Sequence, residues 1–528
     1  MFLFTGGPVW AMEWCPTPDG APATQYVALA CHRGMDDIHY VNRTYTEPGL
    51  VQLWDSGKLE YNKRPDTQPA LVYGLTQDKG FIWQLKWCPA GGWEPPSCGR
   101  KAPFLPRLGL LAVASSSGVV TIYSLPHPDA LLSNTKKDDE KPPIYKARGV
   151  VTLKLGSIKA PREEKSGQVL AMDWLPQKPH NIMAIGFYDG IVGLWDLSTK
   201  SALLRVRESD RSLTLLPYRC ILAHDNMVRT LAFCPASRYL LTTAGEDRYV
   251  KMWDLRRLFD PIKVYKRYLT NEICWPFHAT GVIKAKDSTF VPRGSTGIHY
   301  FDVNMNSLFV LPRSTSVWSL SYSEWLHCVL SADLLGEVIL VMLPPLSFSV
   351  PNIRRPANRR FPAYFTSKVP YDATEVEREE EGHDDVDGGQ EGGETDKPAA
   401  ESEGGSVGKD TSLTYKEAVK KYSLHYTDFD MRSLVGMGRR TLWKQMQRTE
   451  ATANIDMDDM PLTALYKVRF NPNMSSHVWF VSGGQTGLVR LQCLRAMITP
   501  KVKKLIGENL AQFNALYSPQ DQTADEPL

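Results

Sequence analysis

At 528 residues with a formal charge of only +3, the chain exceeds one average domain, and its bulk electrostatics demand neither nucleic acid nor a membrane surface. No stretch approaches about 18 uncharged apolar residues, which excludes a membrane-spanning helix. The nine cysteines form no C-x-x-C pair, so structural zinc is not expected, and an odd number of thiols without a signal peptide points to a reducing compartment, cytosolic or nuclear.

From Val9 onward one pattern recurs. An apolar strand ends in an aromatic residue, and proline follows two residues later. It does so at Met12-Glu13-Trp14-Cys15-Pro16, Leu85-Lys86-Trp87-Cys88-Pro89, Met172-Asp173-Trp174-Leu175-Pro176, Leu231-Ala232-Phe233-Cys234-Pro235 and Val468-Arg469-Phe470-Asn471-Pro472. Three of the units later close on Trp-Asp, at Trp54-Asp55, Trp195-Asp196 and Trp253-Asp254. Repetition at this spacing means copies of one small sheet stacked side by side, and the fold class it predicts is an all-β WD-repeat propeller.

Seven units can be read, with eight blades as the main rival count. The first runs from Val9 to about Leu75 around an excursion over 32–49. The second, from Ile82 to about Leu155, carries inserts over 90–107 and 126–146. The third, from Gln168 to Leu197, is compact, and the fourth, from His224 to Leu255, is the most regular. The fifth is degenerate, around Gly281-Val282-Ile283 and Gly297-Ile298-His299-Tyr300-Phe301-Asp302, and the sixth runs from Val317 to Met342. The seventh, from Leu465 to Leu494, comes after a long insertion. Blades 1–6 are thus expected within 1–343, an insertion over 344–461, the last blade over 462–500 and a tail over 501–528. Ring closure needs both chain ends in one blade, so the apolar Met1-Phe2-Leu3-Phe4 is expected to supply the outer strand of the last blade.

The fourth unit predicts a buried polar group. His224 precedes its first strand, Thr242 or Thr243 lies on the second, Asp247 sits in the turn and Trp253 ends the third. A buried carboxylate is costly unless several donors satisfy it, so this set reads as a structural network rather than a catalytic triad. Asp189 is expected to fill the same turn role in the third unit without a histidine.

The insertion divides into three parts. A basic, proline-spaced loop over 351–370 offers Arg354, Arg355, Arg359 and Arg360 to phosphates or an acidic partner. Between Glu375 and Glu403 thirteen Asp or Glu face only Arg378 and Lys397, a local charge of −11 that leaves +14 for the rest of the chain. An acidic, Gly-rich stretch over 375–412 cannot bury enough apolar surface to fold and reads as a disordered linker. The third part, over 415–448, reads as a basic amphipathic helical segment that includes Arg439 and Arg440, suited to a partner groove, to phosphates or to the propeller's own flank. The inserts over 32–49 and 90–107 are the favoured protein-docking loops.

Positive evidence for catalysis is lacking. Gly404 to Lys409 resembles a phosphate loop but is one residue short, and Asp410 stands where a magnesium-binding Ser or Thr belongs. Gly436-Met437-Gly438 resembles an acetyl-coenzyme-A loop but lies outside any βα context. No catalytic residue, cofactor or metal site is assigned. A histone-tail or ubiquitin-ligase receptor propeller is the alternative reading, and an acetyltransferase a more distant one.

The run from Gly6 to Pro16, with Val27-Ala28-Leu29-Ala30-Cys31-His32, Gly49 to Asp55, Gly80 to Trp93 and Ile221 to Asp254, resembles the second, WD-repeat subunit of general transcription factor IIIC. The resemblance covers nearly the whole chain. It implies a nuclear, non-enzymatic scaffold of the RNA polymerase III system that joins the largest subunit and another WD-repeat subunit on the internal B box of tRNA-type genes, with promoter DNA as a partner of the complex. Family members also carry a long charged segment before the propeller, whereas this chain starts at the propeller. Functions resident in that arm are not expected of it.

Overall fold

The computed structural model describes residues 1–22, 24–89, 92–96, 98, 105–132, 142–156, 167–266, 268–288, 296–302, 308–343, 360–371, 413–432, 441, 444 and 461–517. Among these residues the strands form seven sheets. Their innermost strands are Val9–Trp14, Ile82–Trp87, Val169–Trp174, Val228–Phe233, Thr270–Cys274, Val317–Ser323 and Leu465–Phe470. Neighbouring innermost strands touch in that order and the last touches the first, so the sheets are the blades of a closed seven-bladed propeller. The rival count of eight is excluded.

Each blade packs between two others, which buries both of its faces. Central strands therefore read as continuous apolar runs instead of alternating ones. Cys328–Asp333 and Trp479–Gly484 are buried at every position. The aromatic that ends each repeat seals the space between blades: Trp14, Trp87, Trp174, Phe233 and Phe470 are all buried. Two of the indoles also tie neighbouring blades together. Trp14 Nε1 donates to Arg469 O at 3.1 Å, and Trp87 Nε1 donates to Glu13 O at 3.3 Å.

The chain ends meet in one blade. Phe2–Phe4 pairs antiparallel with Leu488–Cys493, with Phe2 opposite Arg490, and Leu3 is 5% exposed within the adjoining core.

The insertion departs from expectation at both of its basic parts. Blade six does not end at 343, because Arg360–Pro370 pairs with Glu337–Met342 as the fourth strand of that blade. The basic loop expected over 351–370 is therefore a strand in its second half. The apolar-rich Phe361-Pro362-Ala363-Tyr364-Phe365 decides the structure there, with its first four residues and Arg360 buried against the blade. The segment expected to be helical from 415 is helical only over Tyr415–Lys421, where Thr414 and Glu417 form a reciprocal capping box. It then turns into the strand Tyr422–Asp428, which pairs with Arg360–Pro370. Alternating Tyr422, Leu424 and Tyr426 suit a strand better than a helix face. The tail from 501 contains a further helix, Pro500–Tyr517, that the sequence reading missed. Its signals were Pro500 at the first helical position and apolar Val502, Ile506 and Phe513 near helical spacing. The acidic stretch over 375–412 lies outside the described residues.

Candidate functional site

In blade four the expected network forms through one of the two threonines. His224 Nδ1 donates to the Asp247 carboxylate at 3.0 Å, and His224 Nε2 accepts from Thr243 Oγ1 at 2.8 Å. Thr243 Oγ1 in turn accepts the Trp253 indole N–H at 3.0 Å. Asp247 also receives the N–H groups of Asp225 and Tyr249. Burial pushes its carboxyl up, but the His224 hydrogen bond and the backbone donors outweigh burial and hold it below the ordinary carboxylate value. Thr242, the alternative member, is fully buried, and its hydroxyl has no hydrogen-bond partner among the described residues. In blade three Asp189 accepts the N–H of Ile191 at 3.3 Å. These hydrogen bonds tie the turns to the neighbouring strands.

The most distinctive surface is one that the sequence reading did not single out. In all seven innermost strands the register with the next strand shifts at the second residue. A bulge of this kind leaves one residue outside the ladder and re-aims its side chain. The seven residues are Trp10, Trp83, Leu170, Arg229, Asn271, Trp318 and Tyr466, and together they line the mouth of the central channel. Trp10 contacts the rings of Trp83, Trp318 and Tyr466 at centroid distances of 5.6–6.1 Å. Blades six, seven, one and two thus present an aromatic wall. Leu170, Arg229 and Asn271 on the other three blades are less bulky, and a cavity of about 200 Å³ remains beside them. The signal was present in the sequence as the second residue of each inner strand, but it is visible only once the seven strands are aligned.

Further along the inner strands, charges pair between blades. Arg469 bonds Glu13 of blade one at 2.8 Å and Glu272 of blade five at 2.6 Å, and Lys86 pairs with Asp173 at 2.9 Å. Burial pushes the Glu272 carboxyl up, but Arg469 and Lys467 reverse this and bring it down to about 2.

The described residues of both proposed docking inserts make contacts with the rest of the chain. The insert over 32–49 folds onto the channel mouth, where His39 stacks on Phe81 at 3.9 Å and its Nδ1 lies 2.6 Å from His32 Nδ1. Burial, with a further contribution from His39, lowers the His32 pKa to about 4. Gln168 holds Val41 O at 2.9 Å, Ser116 holds Tyr45 O at 3.0 Å and Gln485 holds Met35 O at 3.2 Å. Ile38 and Tyr40 remain exposed. In the insert over 90–107, Glu94 pairs with Arg107 at 3.1 Å and Trp93 meets Phe513 of the C-terminal helix at 5.9 Å. The terminal Lys501, Lys503 and Lys504 are exposed on that helix.

Of the arginines assigned to nucleic acid or an acidic partner, only Arg360 is described. It is 8% exposed and pairs with Glu337 at 3.1 Å, beside the buried Arg313 and Asp333, so it serves the core of blade six and not a ligand. Arg354, Arg355, Arg359, Arg439 and Arg440 lie outside the described residues. Among the described residues no group of three or more His, Cys, Asp or Glu could hold a metal ion.

The model of the WD domain, G-beta repeat, matches residues 216–254, which is the blade holding the His224 network. General transcription factor 3C polypeptide 2 of Homo sapiens and that of Pongo abelii are each 42% identical over 524 residues, 99% of this chain. The chain is a relative of that transcription-factor subunit. The resemblance read from the sequence is borne out along the chain, although the chain spans 55% of the length of each of these proteins. A shorter likeness, 29% over 96 residues, is to the EARP-interacting protein homolog of Gekko japonicus and covers 18% of the chain.

Proposed function

We propose that the chain is a non-catalytic scaffold subunit of general transcription factor IIIC. In this reading it assembles in the nucleus with the largest subunit and another WD-repeat subunit, and the assembly binds the internal B box of tRNA-type genes to support RNA polymerase III initiation. The observation that carries it is identity of 42% over 524 residues, 99% of the chain. A closed seven-bladed ring is a rigid body with two faces and many loops, which suits holding partners in fixed relation. A WD-repeat transcription-factor subunit is also a non-catalytic kind of protein.

Promoter contact is assigned to Arg354, Arg355 and Arg359, with Arg439 and Arg440 as a second basic group. Arg360 is withdrawn from that set because Glu337 neutralises it in the core. The test is binding of the assembled complex to a tRNA-gene duplex over a range of salt, with Arg354, Arg355 and Arg359 changed together to Ala. Affinity should fall, and the slope of log affinity against log salt should flatten by about one for each phosphate no longer neutralised. An unchanged slope removes this chain's loop from the DNA interface.

A further inference from the structure

A second cavity, of about 290 Å³, lies where the aromatic-proline signals end the inner strands, away from the channel mouth. Trp14, Phe233 and Phe470 line it, with Pro176, Pro235 and Pro472. Its charged lining is four carboxylates, Glu13, Asp173, Glu272 and Glu324, against two cations, Lys86 and Arg469, a balance of −2. Three of the carboxylates are already paired: Arg469 holds Glu13 and Glu272, and Lys86 holds Asp173. Glu324 differs. It accepts the Phe277 N–H through one oxygen at 2.7 Å, and no lysine or arginine pairs with it among the described residues. The residue is exposed at the cavity wall, which leaves its carboxylate within reach of a ligand.

The negative potential reaches into the cavity and is felt by two of its lining groups. Burial raises the pKa of the Cys274 thiol, and Glu272 and Glu324 both raise it further, while Arg469 opposes them least. Burial and then Glu324 raise that of the Tyr322 hydroxyl. A positive charge placed among these groups is therefore attracted by carboxylates from two blades, five and six. The rings of Trp275, Tyr322 and Phe470 line the same space. A planar, weakly hydrated guanidinium packs on aromatic rings while it pairs with a carboxylate. The volume is at the lower edge of the roughly 300–1,000 Å³ of small-molecule sites and has room for one long side chain. Phe277, 48% exposed and bonded to Glu324 through its N–H, offers an apolar contact to the residues on either side of that chain.

We infer that this end of the ring is a docking site for an arginine side chain, carried on an extended basic segment of a partner protein. The guanidinium pairs with Glu324, and its methylenes lie against the aromatic wall. Charge complementarity selects this occupant. An acidic side chain would meet an excess of carboxylates, and the two cations of the cavity, Lys86 and Arg469, are already engaged.

The experiment measures fluorescence anisotropy of a labelled twelve-residue peptide of alternating Arg and Ala, titrated with the full 528-residue chain. The peptide should bind at least about tenfold more tightly than its counterpart with citrulline, which keeps the shape and removes the charge. Glu324→Gln keeps an oxygen for the Phe277 N–H and should weaken binding by about tenfold, with an unchanged melting temperature confirming the fold. Glu508→Gln, on the exposed C-terminal helix, should leave affinity unchanged. Equal binding of the Arg and citrulline peptides overturns the proposal. So does parent-like affinity in Glu324→Gln, or an equal loss in Glu508→Gln, which would reduce the effect to bulk charge. The chain's own acidic run could also attract the peptide, so the comparison is repeated with 375–403 replaced by Gly and Ser. The loss in Glu324→Gln should persist there, and its disappearance would assign the binding to that run. Binding that appears only when Arg354, Arg355 and Arg359 are changed to Ala would give the site to the chain's own basic loop and overturn the partner origin.

Discussion

Thr242 and Thr243 are adjacent, equally buried and chemically identical, yet they hold opposite places in the energetics of blade four. Thr243 relays between His224 and Trp253, while the Thr242 hydroxyl bonds nothing among the described residues. Thr243→Val should therefore leave two buried groups without a partner and cost about 2 kcal/mol or more, whereas Thr242→Val removes an unsatisfied hydroxyl and should be neutral or stabilising by up to about 1 kcal/mol. Chemical denaturation of the two variants separates them. The sequence named both threonines because the repeat places a strand hydroxyl at this turn, and only the orientation of successive residues on a strand decides between them. Carboxylates at this scale also make the ring acid-sensitive. The Glu272 pKa is depressed from 4.5 to about 2. A folded pKa below the unfolded one adds stability above the unfolded value, and that stability is lost as pH falls through the folded value. The gap in unfolding free energy between the parent chain and Glu272→Gln should be largest near neutrality and should shrink between about pH 4.5 and pH 2. A gap that stays constant over that window would show that the Arg469 pairing does not hold Glu272 ionised.

At the scale of elements, legibility followed periodicity. Strands bounded by the aromatic-proline signal could be read because two residues fix where each strand ends. Arg360–Pro370 could not, because it follows a long stretch without the pattern and begins with an arginine whose partner, Glu337, is close only after the blade has folded. The C-terminal helix Pro500–Tyr517 was hidden for a related reason, since its packing surface belongs to distant elements. Gly20, at φ +84°, lies so close to it that an added Cβ would sit 2.4 Å from Asn509 O. Gly20→Ala should therefore lift the helix from the propeller, raising amide hydrogen exchange across 500–517 while leaving the blade strands protected. Unchanged protection of the helix would mean that its approach to Gly20 does not hold it. The channel-mouth residues were equally present in the sequence, but the bulges that expel them from the ladder depend on pairing register, which periodicity does not report.

For the whole molecule the decisive feature is closure. Phe2–Phe4 covers the edge of the last blade, and Arg469 bridges blades seven, one and five. Leu3→Asp would put an unpaired charge into that seam and should cost about 3 kcal/mol or more, read as a lower melting temperature with loss of cooperativity. A closed ring explains why a chain with one regular WD unit keeps the fold through degenerate blades: each blade is held by its two neighbours. It also frames the functional account, in which a rigid body presents two faces to different partners. The most direct test uses the chain as bait in nuclear extract, with recovered proteins quantified by mass spectrometry. The account predicts near-stoichiometric recovery of the largest subunit and the other WD-repeat subunit of transcription factor IIIC. Recovery of histones or of a ubiquitin-ligase adaptor in their place would contradict it.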